Sequence, residues 1–229
     1  MEKWSRQKVY RRDYLMNEYH KIQTMFKREN ERPCRIIYGD WSIPEFEYLK
    51  DNQWEFTEKV DGTNIRVMWD GVDIKFGGKT DKAQMHCDLI SRLGELFNPK
   101  KDCLIDMFKP KDGACVPVCL YGEGYGAGIQ KGGLYKQTKD FVLFDVKVGS
   151  GWLKREDVAS MADRLKIDAV PVVLTGTLQD GINLVKSGYK SRWGDFIAEG
   201  VVGRPIVELR GGYGRRIITK IKYCDFGTK

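Results

Sequence analysis

Histidine is scarce in this chain. His20 and His86 are the only two in 229 residues, and the six cysteines, at 34, 87, 103, 115, 119 and 224, include no C-x-x-C pair. Cys115 and Cys119 stand four apart with no second pair to complete a ligand set. A structural zinc site shows a tighter pattern, so no zinc is expected and the thiols read as free and reduced. No apolar run approaches the roughly 18 residues that a membrane helix needs, which argues against a membrane partner. The first residues, Met1-Glu2-Lys3-Trp4-Ser5-Arg6, lack the apolar stretch of a secretory signal, so a cytoplasmic location is expected. There is no internal repeat, low-complexity stretch or obvious linker, and a single domain over 1–229 is the economical reading.

What is present is ordinary core material with a basic excess. Apolar residues make up 41% and the formal charge is +7. A basic balance favours a polyanionic partner, because each neutralised phosphate releases condensed counterions. Leu15, Tyr19, Ile22 and Phe26 recur at helical spacing with Arg11, Arg12, Lys21 and Lys27 between them, so residues 1 to about 30 read as a basic amphipathic helix, an N-terminal helical extension over 1–35.

From Glu55 onward the pattern turns to short strands. Asn64 to Trp69, then Asp70-Gly71, then Val72 to Phe76 predicts a hairpin closed by a type I′ turn. Asp81 to Phe97 reads as a helix striped by Met85, Leu89, Leu93 and Phe97; Lys154 to Ile167 and Leu178 to Lys186 read as two more. Strands are expected over Val116–Tyr121, Phe141–Val148, Phe196–Val202 and Arg216–Ile221. Helices and strands cluster instead of alternating strictly, which predicts an α+β fold.

Chemistry concentrates in a few stretches. In Thr57-Glu58-Lys59-Val60-Asp61-Gly62-Thr63-Asn64, a lysine at a strand end precedes a turn with Gly62. Such a lysine points its amine away from the scaffold, and it becomes a nucleophile only when burial or neighbouring cations favour its neutral form. Tyr121 to Gln130 is dense in glycine, which permits close approach of backbone to ligand, and Glu123 offers a carboxylate to a ribose hydroxyl or a metal. The segment is not G-x-G-x-x-G opening a helix, which disfavours a dinucleotide fold. Asp140 to Asp145 is a strand in which Phe144 serves either a flat base or the core. Ala198-Glu199-Gly200-Val201-Val202 ends an apolar strand with charge close by, and Lys220-Ile221-Lys222 puts two lysines on one strand face, a site for an anion.

In that order, these stretches resemble the motif set of the covalent nucleotidyltransferase superfamily, which holds ATP-dependent DNA ligases, RNA ligases and capping enzymes. Lys59 to Asn64 is similar to its nucleotidyl-acceptor motif, Glu123 to the third motif's glutamate, Phe141 to Asp145 to the aromatic strand that follows, Glu199 to Val202 to the fourth motif and Lys220 to Lys222 to the fifth. Asn64, where DNA ligases and capping enzymes usually carry arginine, and Tyr121 to Gln130 resemble the RNA ligase 2-like branch. Lys79, in Gly77-Gly78-Lys79-Thr80, departs from that branch's usual arginine, and an ammonium does not reproduce a guanidinium fork.

The resemblance implies a nucleotidyltransferase (ATP-grasp-like ligase) domain of mainly antiparallel sheets with flanking helices. It implies an ATP-dependent RNA ligase in which Lys59 takes AMP from ATP, passes it to a 5′-phosphate and lets a 3′-hydroxyl displace it. Mg²⁺ (or Mn²⁺) is expected, assisted by Lys220 and Lys222. Glu123 is expected to hold the ribose, Phe144 to stack on adenine, Glu58 to lie beside the base, Asn64 to contact the ribose or a step-specific group, and Lys79 to contact the nucleotide. Glu199 is expected to support metal or phosphate chemistry and Asp61 either to orient Lys59 or to bind metal, which makes these two the candidate metal ligands. The expected partner is nucleic acid, as RNA ends or a nicked duplex, engaged by a monomer. Only seven residues follow Lys222, so neither a C-terminal OB-fold nor a helical domain is expected within this sequence. The rival readings are a minimal DNA ligase and a nucleotide- or RNA-binding module without turnover.

Overall fold

The computed structural model describes residues 18–29, 35–108 and 116–227. Its strands are β1 (Gln23–Thr24), β2 (Phe26–Arg28), β3 (Ile36–Trp41), β4 (Trp54–Glu58), β5 (Thr63–Trp69), β6 (Ile74–Gly77), β7 (Val118–Tyr125), β8 (Asp140–Val148), β9 (Gly151–Trp152), β10 (Asp168–Ala169), β11 (Val172–Gly176), β12 (Gly200–Pro205) and β13 (Thr219–Lys222). Its α-helices are α1 (Pro44–Tyr48), α2 (Cys87–Phe97), α3 (Lys101–Phe108), α4 (Arg155–Leu165) and α5 (Leu178–Lys186). The α+β class expected from the clustered pattern is what forms.

The chain divides into two compact units. One comprises Met1–Tyr19, Asn64–Gly122 and Leu143–Asp168; the other comprises His20–Thr63, Glu123–Val142 and Ala169–Lys229. The second unit is built on a five-stranded sheet in the order β1-β13-β12-β4-β11, antiparallel except for β1, which runs parallel to β13. Helix α5 covers this sheet: Leu178, Ile182 and Val185 join Trp54, Phe56, Val201 and Ile221 in one core, each at most 1% exposed. Thr177 caps α5 reciprocally with Asp180, its hydroxyl accepting the Asp180 N–H while the carboxylate accepts the Thr177 N–H. In the first unit Ile65, Val67, Leu89, Leu93, Phe97, Val118, Leu120 and Val158 are fully buried. Most of these lie on a six-stranded sheet, ordered β10-β8-β7-β5-β6 with β9 on β8, or on the helices α2 and α4.

Several sequence expectations need correction. The helix expected through Ile22 and Phe26 does not form: Phe26 opens β2, its ring 4.9 Å from Trp41 and 5.1 Å from Tyr38, and the Met25 N–H donates to Lys220 O at 3.0 Å. Contacts with distant segments override the local stripe. Residues 18–22, Tyr19 among them, are not helical either, and the earlier part of that predicted helix, Leu15 included, falls in 1–17, outside the described residues. The helix expected from Asp81 begins at Cys87, because the His86 ring accepts the Asp88 N–H and caps it there. The predicted hairpin is present, but Trp69 pairs with Ile74, leaving a four-residue loop in place of a two-residue turn. Asp70 stabilises that loop by accepting the N–H groups of Val72 (3.0 Å) and Asp73 (2.8 Å). β12 starts at Gly200 instead of Phe196, since the Ser191 N–H donates to Phe196 O at 2.9 Å and closes the preceding residues into a loop of their own.

Candidate active site

Strand register assembles the site in the second unit. β4 lies between β12 and β11, with Glu58 opposite Val201; β12 and β13 pair with Gly200 opposite Lys222. The Lys59 N–H continues this ladder by donating to Gly200 O at 2.9 Å. The end of β4, the start of β12 and the end of β13 therefore meet at one edge, bringing together Lys59, Glu199 and Lys222 from positions up to 163 residues apart.

There the Glu199 carboxylate bridges two ammonium groups. Oε2 lies 2.6 Å from Lys59 Nζ and Oε1 lies 2.5 Å from Lys222 Nζ. The Glu199 side chain is 13% exposed, against 21% for Lys59 and 33% for Lys222. Burial pulls the Lys222 amine down, but the hydrogen bond and charge of Glu199, aided by Cys224 and Asp61, outweigh it and the net shift is upward. Lys220 shares the partly exposed face of β13 with Lys222, while Ile221 between them is 1% exposed and faces the core.

Gly62 brings the turn after Lys59 against the glycine-rich segment. A Cβ at Gly62 would lie 2.3 Å from Gly124 O and 2.9 Å from Glu123 Cγ, so only glycine fits. The Gly62 N–H donates to the Glu123 carboxyl. Burial, reinforced by the charges of Glu199 and Asp61, pushes that carboxyl up to about 8, against the opposing pull of Lys59 and the Gly62 N–H. Burial and Glu199 also raise Asp61, opposed by Lys59, Lys222 and Lys131. Burial and neighbouring negative charge disfavour the ionised forms of Asp61 and Glu123, which is what an oxygen-coordinated divalent cation relieves. Asp61, Glu123 and Glu199 offer oxygen donors of the kind such an ion takes, while among the described residues the one set of three ligand atoms within 4.8 Å of one another is the exposed His86, Cys87 and Asp88.

Glu58, 1% exposed, closes β4 next to Lys59. Its Oε1 accepts from Ser191 Oγ at 2.5 Å and its Oε2 from the Arg192 N–H at 2.8 Å; burial raises it despite these bonds. The Tyr135 hydroxyl accepts the Asp61 N–H at 3.2 Å, and its ring packs edge-on against Phe196 (4.9 Å), Trp193 (5.7 Å) and Tyr125 (6.0 Å). Ser191, Arg192, Tyr135 and Lys131 escaped the sequence reading. Only long-range folding brings them to the turn, and no local pattern marks them.

The structure gathers Glu58, Lys59, Asp61, Gly62, Glu123, Glu199, Lys220 and Lys222 in one unit, and places Asn64, Lys79 and Phe144 in the other. In that unit Asn64 Oδ1 is buried with no hydrogen-bond partner among the described residues. Lys79 is exposed, whereas fully buried Arg66 donates to Gly78 O at 2.8 Å and to Asp81 at 2.7 Å. The Phe144 ring stands edge-on to Tyr19 at 5.1 Å, and its carbonyl accepts from Arg155 at 3.1 Å.

Comparison with known proteins follows the same lines. Among solved structures, a ligand-free mutant of Naegleria gruberi RNA ligase superposes with a TM-score of 0.59 at 16% identity, covering 90% of this chain and 58% of that one. A mutant of that ligase with ATP and Mn gives 0.58 at 16% identity, covering 87% and 58%. The ligase with PPi gives 0.57 at 18%, covering 90% and 58%. This chain thus spans 58% of the length of those relatives, and at such identity the likeness establishes a shared fold. No curated protein matches the sequence. The RNA ligase family model matches residues 52–222, a stretch that holds Lys59, Glu123, Glu199 and Lys222, and this chain belongs to the RNA ligase family.

Proposed function

We propose that the protein is an ATP-dependent RNA ligase that carries AMP on Lys59. The observation that carries this reading is the Glu199 bridge between Lys59 Nζ and Lys222 Nζ, at 2.6 and 2.5 Å, which sets a nucleophile beside a phosphate-binding cation. In the first step the neutral Lys59 amine attacks the α-phosphorus. An N–P bond forms, the bond from that phosphorus to the bridging oxygen breaks, and pyrophosphate leaves with the electron pair. Glu199, already in contact with Nζ, is placed to take the amine's proton. Lys220 and Lys222 hold phosphate oxygens and stabilise charge on the leaving group. AMP then passes to a 5′-phosphate, and a 3′-hydroxyl displaces it.

Asp61 and Glu199 would hold the divalent cation, Mg²⁺ or Mn²⁺, which supplies further charge neutralisation when bound. Support comes from the raised Asp61 and Glu123 carboxyls and from the Mn-bound Naegleria ligase of the same fold. Glu123, its carboxyl pushed up to about 8 by burial, is a hydrogen-bond partner for a ribose hydroxyl.

The test is incubation with ATP labelled at the α-phosphate and with Mg²⁺ or Mn²⁺. An acid-labile, base-stable label on the wild type and none on Lys59→Ala is the expected result. Labelling by GTP and not by ATP would point to capping-type chemistry, and no label from either would end the ligase reading. Nicked RNA and nicked DNA duplexes of equal length then separate RNA from DNA sealing.

A further inference from the structure

Between β12 and β13 the chain makes an arginine- and glycine-rich excursion: Arg210-Gly211-Gly212-Tyr213-Gly214-Arg215-Arg216. It folds as a small hairpin. Arg210 and Arg216 form an antiparallel bridge, the Gly211 N–H donates to Arg215 O at 2.8 Å, and Gly212–Gly214 make one 3₁₀ turn, with Gly214 at φ +70°. Its base is stapled by the guanidinium of Arg216, which is 3% exposed and meets Glu208 through two contacts, at 2.5 and 3.1 Å. The Glu45 carboxylate lies directly against Gly211, where an added Cβ would be 2.5 Å from its oxygen. The two nearby acids thus underpin the loop. Arg210 and Arg215 are exposed, and neither side chain makes a hydrogen bond or ion pair among the described residues. A Cβ at Gly212 or Gly214 would meet nothing within 4 Å, so the tip is open to close approach.

Two exposed guanidinium groups on a braced, glycine-rich tip are suited to phosphate oxygens, which arginine grips as a planar fork. Position within the unit makes the feature useful. β12 starts beside Glu199 and ends at Pro205, and at about 3.3 Å per residue its far end lies roughly 17 Å from the candidate site. At the roughly 3.4 Å rise per nucleotide of a B-form strand that span is about five nucleotides, and slightly more in the shorter-rise A-form of RNA. We infer that this hairpin is an RNA-backbone grip, in which Arg210 and Arg215 hold phosphates about five or more nucleotides from the joined ends. The inference rests on the RNA ligase reading above and adds to it a contact surface remote from Lys59.

The test compares wild type with Arg210→Ala/Arg215→Ala on a nicked RNA duplex carrying at least ten base pairs on each side. Three readouts are taken: Lys59 labelling by ATP, the salt dependence of RNA binding, and sealing. Labelling is expected within twofold of wild type, which also reports that the variant folds. The slope of log K against log salt should become shallower by about 1.4–1.8, the value for two lost phosphate contacts, and binding at low salt should weaken about tenfold or more. A duplex trimmed to four pairs on both sides should bind wild type and variant alike. An unchanged slope in a variant that still labels would overturn the hairpin assignment and leave the ligase reading intact, whereas a wild type that takes no label would sink the ligase reading itself.

Discussion

Burial sets Glu123 apart from the other carboxyls of the site, and its titration has a direct consequence for stability. Its folded-state pKa is raised from 4.5 to about 8, so between those values the native protein binds a proton that the unfolded chain has released. Stability then falls as pH rises through that window, because ionising the buried acid costs the folded state alone. Glu123→Gln should flatten this decline, by on the order of a few kcal/mol in unfolding free energy between pH 5 and 8. Urea titration of both proteins across that range measures it; equal slopes would show that Glu123 ionises freely. At Gly62 the constraint is steric. Gly62→Ala would force its methyl to within 2.3 Å of Gly124 O, and backbone does not yield as a side chain does. Lys59 labelling should fall at least tenfold with circular dichroism unchanged, since the displaced turn carries Asp61 beside the nucleophile.

At the scale of single elements, α5 is legible in the sequence. Its apolar stripe has helical period, and both boundaries, Leu178 and Lys186, fall where the pattern places them. Its docking is not legible there. Gly181 lets the helix settle on Phe56, where an added Cβ would lie 2.5 Å from two ring atoms. Alanine improves helix propensity by about 1 kcal/mol, but overpacking a core costs about 1–3 kcal/mol. Phe56 is fully buried, so the second effect wins. Gly181→Ala should destabilise by about 1–2 kcal/mol in chemical denaturation, and a stabilised variant would show that the ring has room to move. The misread segment around Ile22 and Phe26 fails for the opposite reason. Its spacing suits a helix, but β1 is only two residues long and exists through pairing with Thr219 and Lys220, which no window of local sequence contains.

For the molecule as a whole, the charge of +7 means that the proposed association with RNA should be a counterion-release process. If about four phosphates of a single-stranded end are contacted, raising salt from roughly 50 to 200 mM should weaken binding about 50-fold. Filter binding across a salt series checks this, and a flat dependence would mean that charge plays no part in substrate capture. The sequence singled out Lys59, Glu123, Glu199 and Lys222 because the short stretches that hold them follow the order of a family's motif set, whereas each stretch alone admits an ordinary surface or core reading. It was enough, too, for the α+β class and the amphipathic helix α5, since periodicity is a property of neighbours along the chain. Folding in three dimensions was required for the rest: that Glu199 spans two lysines, that Tyr135 and Ser191 brace the strand and turn around Lys59, and that burial raises the Glu123 carboxyl. Those facts arise from strand register and burial, which are set by segments far apart in the chain packing together.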